Sequence, residues 1–170
     1  MNSVHNTIAK LELAQIGWVV PDIHAAMKFL SNALRIAGFH PPAHVRAQDL
    51  NMTYYGKIVA GEWLTTQTYS GGAFIELIQP VSGNSIFQDF IDKNPSGGIQ
   101  HIAYSIPVDK LNKIISEFSD KGFPVISTFD HPIAKIVFFN TCKEIGVMTE
   151  IMGITEEGEK AVQQMKGQTS

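Results

Sequence analysis

The chain has 170 residues, of which 44% are hydrophobic and 17% are charged, and its formal net charge is −3. This composition is typical of a globular domain, and the lack of an overall basic charge argues against nucleic acid as the main partner. The single cysteine, Cys142, excludes an internal disulfide and a cysteine-rich zinc site. Because we find no signal peptide and no apolar run long enough to span a membrane, we expect a cytoplasmic protein.

A first module, residues 8–80, is predicted to contain a strand, a helix and three further strands. The strand-like QIGWVVP precedes DIHAAMKFLSNALRIAGF, where apolar residues recur with the i, i+3, i+4, i+7 spacing of an amphipathic helix. We expect this helix to end at Gly38, since glycine suits a left-handed C-terminal cap. The stretch NMTYYGKIVAGEW predicts a loop or irregular excursion. The three strands are expected around residues 43–49, 62–69 and 73–79.

The rest of the chain predicts a linker, a second module and a tail. Residues 81–97 predict a linker with a short helix around IFQDFI. Residues 98–153 predict the strand HIAYSIP, the helix DKLNKIISEFSDKGF ending at Gly122, and three more strands. Residues 154–170 form a polar tail that we expect to be a frayed helix or disordered. The three strands are expected around residues 125–129, 135–140 and 146–152.

The two modules repeat each other. When QIGWVVP is placed above HIAYSIP, Gln15 pairs with His101, and every other position except Val19 opposite Ser105 pairs with a residue of similar chemistry. The last strands match in the same way, so that Glu76 of FIELI pairs with Glu150 of MTEIM. Each module alone would be marginally stable. We therefore expect one globular, pseudo-symmetric domain made of both.

The repeat selects four polar residues in apolar strands: Gln15, Glu76, His101 and Glu150. An ionised carboxylate buried without a partner costs several kcal/mol, and a divalent metal between two of them would remove that cost. Mixed nitrogen and oxygen ligands suit zinc, manganese, cobalt, nickel or ferrous iron, and the pattern does not distinguish among these. A structural role in the core or at a sheet edge is the alternative for each residue alone.

The chain resembles a known superfamily through AQIGWVVPDIHAAMKFL, FIELIQPVSGNS, GGIQHIAYSI and GVMTEIM, which occur in this order within residues 11–153. These motifs are similar to the vicinal oxygen chelate superfamily (glyoxalase I, methylmalonyl-CoA epimerase, extradiol dioxygenases and bleomycin-resistance proteins), and most similar to its epimerase branch. The resemblance implies an α+β glyoxalase-like fold, in which two tandem βαβββ modules form a cupped mixed sheet. It also implies a small-molecule substrate, a homodimer, and divalent metal ligands on the first and last strands of each module, the four positions above.

The activity implied by the resemblance is that of a metal-dependent isomerase or lyase, which stabilises the enolate of a small carbonyl or acyl-CoA substrate. A metal would act as a Lewis acid and a carboxylate would move the proton. The resemblance makes Glu150 the base, with Asp49 or Glu62 as the acid on the opposite face of the carbon. Lys135, on an otherwise apolar predicted strand, is a candidate for binding a substrate carboxylate or an edge lysine that reaches water.

Two other functions stay open. The epimerase branch usually has histidine where this chain has Gln15, and a Gln/Glu/His/Glu set resembles some glyoxalase I enzymes. A glyoxalase I-like lactoylglutathione lyase is thus an alternative, although IGWVV after Gln15 lacks the arginine that typically holds glutathione. A metal-free small-molecule-binding or resistance protein of the same fold is the other. An extradiol dioxygenase is disfavoured, because such iron enzymes use two histidines and one carboxylate.

Overall fold

The computed structural model describes residues 11–168. The first module contains β1 (Glu12–Val19), α1 (Ile23–Ala33), β2 (Ala43–Arg46), a 3-10 turn (Ala47–Leu50), β3 (Thr53–Tyr54), β4 (Lys57–Ile58), β5 (Gly61–Ser70) and β6 (Ala73–Gly83). Helix α2 (Ile86–Lys93) links it to the second module. That module contains β7 (Gly98–Pro107), a 3-10 turn (Val108–Lys110), α3 (Leu111–Asp120), β8 (Val125–His131), β9 (Ala134–Phe139), α4 (Cys142–Ile145) and β10 (Met148–Ile154), and helix α5 (Glu156–Gln168) follows.

The strands form one curled, mixed sheet in the order β2-β5-β6-β1-β7-β10-β9-β8-β3-β4. The modules meet where β1 pairs antiparallel with β7. In each module the first strand pairs parallel with the last, β1 with β6 and β7 with β10. This arrangement confirms the predicted α+β glyoxalase-like fold.

The two faces of the sheet bury separate cores. The inner face, which carries Gln15, Gly17 and Val19 of β1, shares a core with α2 and with side chains from both ends of the sheet, including Trp63 and Phe138. On the outer face, α1 covers the first module and α3 covers the second. Because alternate residues of a strand face opposite sides, the four repeat-selected residues fall on the inner face.

The NMTYYGKIVAGEW segment is more regular than its sequence suggests. It forms the β3–β4 hairpin, and β3 pairs with β8 of the second module through Thr53–Thr128 and Tyr54–Ser127. The Tyr54 hydroxyl also donates a hydrogen bond of 2.7 Å to Asp89 of α2. This segment therefore joins the first module to the far edge of the second.

Helix α1 ends earlier than predicted, at Ala33 instead of near Gly38. Arg35 adopts a left-handed φ of 57°, and the Ile36 amide turns back to donate to the Leu30 carbonyl. This turn lets Ile36 pack against the outer core of the first module. The glycine prediction holds for α3, where Gly122 has a φ of 88° directly after the helix.

The polar tail forms α5, a helix that packs on the inner face. Its start is held by Thr155, whose amide donates to the Ile133 carbonyl at 3.0 Å. Further along, Gln67 Nε2 lies 3.5 Å from Met165 Sδ, and the Lys166 ammonium lies 5.6 Å from the centre of the Tyr69 ring. None of the helices within residues 11–168 has the length and apolar character needed to cross a membrane.

Candidate functional site

The central strands bring the four repeat-selected residues together by their register. Gly17 pairs with Glu76 on one side and with His101 on the other. Ala103 pairs with Gln15 on one side and, on the other, with the fourth member of the set, Glu150. The small residues Gly17 and Ala103 therefore lie between the four polar residues in the sheet. They leave room for the long polar side chains to meet above them.

The four side chains contact one another directly. His101 Nε2 lies 2.9 Å from Glu150 Oε2 and 3.6 Å from Glu76 Oε2. The Gln15 amide donates to Glu76 Oε2 at 2.6 Å and lies 3.3 Å from His101 Nε2. The other Glu76 oxygen accepts a 2.8 Å hydrogen bond from Thr65 Oγ1. We call Gln15, Glu76, His101 and Glu150 the polar cluster.

A bulge in β7 adds a second polar residue beside His101. The pairing of β7 with β1 shifts between Gly17 and Trp18, so Gln100 leaves the regular alternation. Gln100 Oε1 lies 2.6 Å from His101 Nδ1, and the Gln100 side chain is fully buried. Since an amide oxygen only accepts hydrogen bonds, Nδ1 carries a proton and Nε2 is the nitrogen that faces the carboxylates.

Burial and charge set the ionisation of the polar cluster. His101 is 0% exposed and Glu150 is 3% exposed. Desolvation raises the pKa of Glu76 to about 7, although the charge on His101 works in the opposite direction. Desolvation lowers the pKa of His101, but the Glu150 and Glu76 carboxylates outweigh it and raise the pKa above its ordinary value. In the metal-free protein, both shifts therefore favour the protonated forms of Glu76 and His101.

Gly17 provides the space in which the His101 ring lies. A Cβ placed on Gly17 would overlap the His101 ring, with Cε1, Nε2 and Nδ1 as the closest atoms. The backbone of Gly17 has no positive φ, so any side chain at this position is excluded by the ring and not by the backbone. The absence of a side chain here is thus a requirement of the site.

Aromatic rings close one side of the site. Phe138 meets the His101 ring edge-on, with centroids 5.3 Å apart, and Phe87 of α2 lies 6.4 Å away. Phe87 and Phe138 are themselves in edge contact at 6.3 Å. These apolar neighbours exclude water from the imidazole, so its polar partners are other side chains of the site.

The donor set suits a divalent cation, although the side chains are closed on one another. In the part of the chain that is described, no group of three or more His, Cys, Asp or Glu side chains is arranged around a metal position. The cluster nevertheless combines two carboxylates, an imidazole whose Nε2 faces inward and can bind a metal once it has lost its proton, and an amide that presents its oxygen if it is flipped. These are ligands of zinc and similar metals, and two carboxylates balance a divalent charge.

The other predicted site residues lie elsewhere. Asp49 forms an ion pair with Arg46 at 2.9 Å, and its side chain is 55% exposed. Glu62 lies 3.1 Å from His44, close to the edge of the sheet. Lys135 is exposed on β9, where alternation places it on the outer face. The structure brings Glu150 into the polar cluster but not these three side chains.

Sequence reasoning missed Gln100 and Thr65. Gln100 is adjacent to His101, and neighbouring strand residues are expected to face opposite sides, so only knowledge of the bulge would place both on one face. Thr65 lies on β5, whose pairing with β6 puts it within reach of Glu76. Neither residue has a counterpart that the internal repeat could have indicated.

Comparison with known proteins agrees with this fold. A hypothetical protein from Bacillus halodurans is 23% identical, covering 84% of this chain and 94% of its own, with a TM-score of 0.60. A variant of the Streptomyces coelicolor methylmalonyl-CoA epimerase, in complex with 2-nitronate-propionyl-CoA, is 22% identical over 86% of this chain and 95% of its own, with a TM-score of 0.56. The Mycobacterium tuberculosis methylmalonyl-CoA epimerase is 19% identical over 88% and 91%, with a TM-score of 0.55.

No curated protein sequence matches the chain. Residues 14–138, which are well over half of the chain, match the sequence profile of a single superfamily. The chain therefore belongs to the Glyoxalase/Bleomycin resistance protein/Dioxygenase superfamily.

Proposed function

We propose that the protein is a metal-dependent isomerase or lyase that moves a proton next to a carbonyl group of a small carbonyl or acyl-CoA substrate. The observation that carries this proposal is the polar cluster, in which two carboxylates and an imidazole meet on a buried face. Structural cores rarely bury two carboxylates against one another, because each must be desolvated. Sites that exchange protons use such arrangements, since they shift the pKa values of their groups.

Gln15, Glu76, His101 and Glu150 would hold the metal. A bound divalent cation would act as a Lewis acid that stabilises negative charge on a carbonyl oxygen. Gln100 keeps a proton of His101 on Nδ1, so Nε2 is the nitrogen that would lose its proton and present a lone pair to a metal at the centre of the cluster. The Phe87 and Phe138 rings keep water away, which strengthens the electrostatic interactions in the site.

Two carboxyl groups are available to move the proton. Glu150 is our proposed base, since it is nearly fully buried and contacts the imidazole. The position of Glu76, whose carboxylate also lies beside His101 Nε2, supports it over Asp49 and Glu62 as the second acid.

The substrate class is proposed from the matching structures. One of them is a methylmalonyl-CoA epimerase in complex with methylmalonyl-CoA and NH4+. We propose that this chain acts on an acyl-CoA ester with an acidic proton beside the thioester carbonyl. By the same resemblance we propose a homodimer in the cytoplasm.

Exchange of the α-proton for deuterium tests the proposal. The protein loaded with zinc, cobalt, nickel or manganese is incubated in D2O with methylmalonyl-CoA and other acyl-CoA esters, and exchange is followed by NMR. Glu150→Gln should slow exchange at least about 100-fold, the usual contribution of a general base. Glu62→Gln is the matched control and should exchange at the wild-type rate. No exchange with any ester, together with turnover of the hemithioacetal of glutathione, would identify a glyoxalase I-like enzyme instead.

The contacts of the polar cluster favour a second candidate, a metal-free protein that binds a small molecule. The cluster satisfies itself without a metal, and in the described residues no buried side-chain nitrogen or oxygen lacks a hydrogen-bond partner. Such a protein would take up no divalent metal during titration and would bind its ligand equally well in the presence of a chelator. A metal-dependent enzyme would instead take up a divalent metal during titration, and a chelator would weaken the binding of its ligand.

A further inference from the structure

A cavity of about 750 Å³ lies between helix α5 and the sheet. We propose that this cavity binds the apolar chain of the substrate and that α5 limits the length of chain it accepts. This inference rests on the proposed function only for the placement of the reacting carbonyl at the polar cluster. The volume falls within the range of about 300–1,000 Å³ that small-molecule sites occupy in proteins.

The cavity begins where the polar cluster ends. Its lining includes Phe74, Ser105 and Met152. Phe74 lies two residues before Glu76, and Met152 lies two residues after Glu150. Because alternate residues of a strand share a face, the cavity is on the inner face, one step along the strands from the carboxylates. A substrate held at the cluster can therefore extend directly into it.

Helix α5 covers one side of this cavity. Its residues Val162, Gln163 and Lys166 contribute to the lining. The helix reaches the strand next to Glu76, since Met165 contacts Gln67 and Gln67 pairs directly with Glu76. The contact is a weak one, with 3.5 Å between the amide nitrogen and the sulfur. The cavity is thus bounded on one side by a helix that lies beyond the segment matching the superfamily, residues 14–138.

The lining indicates an apolar ligand. The apolar residues that line the cavity on this face include Leu13, Phe74, Met152, Ile154 and Val162. The charged ones balance, with Glu12 and Glu159 opposed by Lys160 and Lys166, so no net charge selects an ionic group. A hydrocarbon chain gains free energy from this surface in proportion to the area it buries. The part of the substrate that the cavity recognises is therefore an alkyl or acyl chain.

Binding of straight-chain primary alcohols, from 1-butanol to 1-decanol, tests the inference by calorimetry or NMR titration. Each added methylene should tighten binding about fourfold until the cavity is filled, as expected for the burial of one methylene. Val162→Trp should stop this increase at a shorter chain, and Val162→Ala should extend it to a longer one. Gln164→Trp places the same ring on an exposed position of the helix and should behave as the wild type.

Two results would overturn the inference: an affinity that does not rise with chain length, or a series that is the same in the wild type and both Val162 variants. The alanine variant keeps the test decisive if the tryptophan variant does not fold. Alcohol binding needs neither metal nor turnover. Chain-length-dependent binding without proton exchange would therefore overturn the proposed function alone, and proton exchange without such binding would overturn this inference alone.

Discussion

At the residue scale, the His101 ring depends on the missing side chain of Gly17. Gly17→Ala should displace the ring, because the new methyl group would occupy its position. Overpacking of this kind costs about 1–3 kcal/mol, which thermal unfolding would detect. Divalent metal uptake should also be lost. Gly167→Ala is the matched control, since a Cβ there meets no neighbouring atom, and equal metal uptake by both variants would contradict this role for Gly17.

The contact between Gln100 and His101 makes a second prediction at this scale. Gln100→Leu removes the acceptor for the Nδ1 proton, so the proton of the neutral ring should redistribute between Nδ1 and Nε2. Nitrogen-15 NMR of the metal-free protein, at a pH above the pKa of His101, reports this change directly. Loss of such an orienting partner typically weakens metal affinity about 10–100-fold. An unchanged tautomer in Gln100→Leu would show that other contacts orient the ring.

At the scale of the elements, the β3–β4 hairpin is attached to α2 by one hydrogen bond, from Tyr54 to Asp89. Burial and the Asp89 carboxylate raise the pKa of Tyr54 above its ordinary range, so the hydroxyl stays a donor. Tyr54→Phe should lower the free energy of unfolding by about 1 kcal/mol and speed amide exchange in the hairpin. A double-mutant cycle with Asp89→Ala isolates the contact, and a coupling energy near zero would contradict it.

The same scale shows what the sequence could predict and what it could not. The repeat of QIGWVVP in HIAYSIP predicted the two equivalent strands that carry Gln15 and His101, because it compares equivalent positions of one fold. The hairpin and α5 have no counterpart in the other module, so nothing in the repeat indicated their structure. Helix α5 has few apolar residues, and its order comes from packing on the sheet, which local sequence does not show.

The internal repeat also explains why some site residues could be predicted from the sequence and others could not. Glu76 and Glu150 lie at repeat-equivalent positions, and the structure brings them together with His101. Asp49 and Glu62 were chosen for their region and charge, and neither property determines which face of the sheet a side chain occupies. Gln100 depends on a bulge, a local irregularity that the regular alternation of a strand conceals.

At the scale of the whole molecule, the polar cluster makes the stability of the metal-free protein depend on pH. The pKa of Glu76 is raised from 4.5 to about 7, so between these values the folded chain binds a proton that the unfolded chain has released. The pKa of His101 is raised above 6.5, so the stability that its proton contributes is lost as pH rises through the folded pKa. Both effects make the folded state less stable as pH increases.

Thermal and urea unfolding between pH 5 and 8 measure this dependence in the presence of a chelator. We expect the free energy of unfolding to fall by on the order of 2 kcal/mol across this range. Glu76→Gln should remove most of the slope, because it removes one titrating group and one of the carboxylates that hold the proton on His101. Glu62→Gln is the control with an exposed carboxylate. If the free energy of unfolding of Glu76→Gln fell with pH as steeply as that of the wild type, Glu76 would not be a source of this pH dependence.

Calorimetric titration of the chelator-treated protein with zinc, cobalt, nickel and manganese tests most directly whether the polar cluster is a divalent metal site. We predict that at least one metal binds with one equivalent per chain and releases protons, because His101 Nε2 must lose its proton to become a ligand. His101→Ala and Glu150→Ala should abolish this binding, and Lys135→Ala should not change it. No uptake of any of the four metals, or uptake that persists in both cluster variants, would contradict the account.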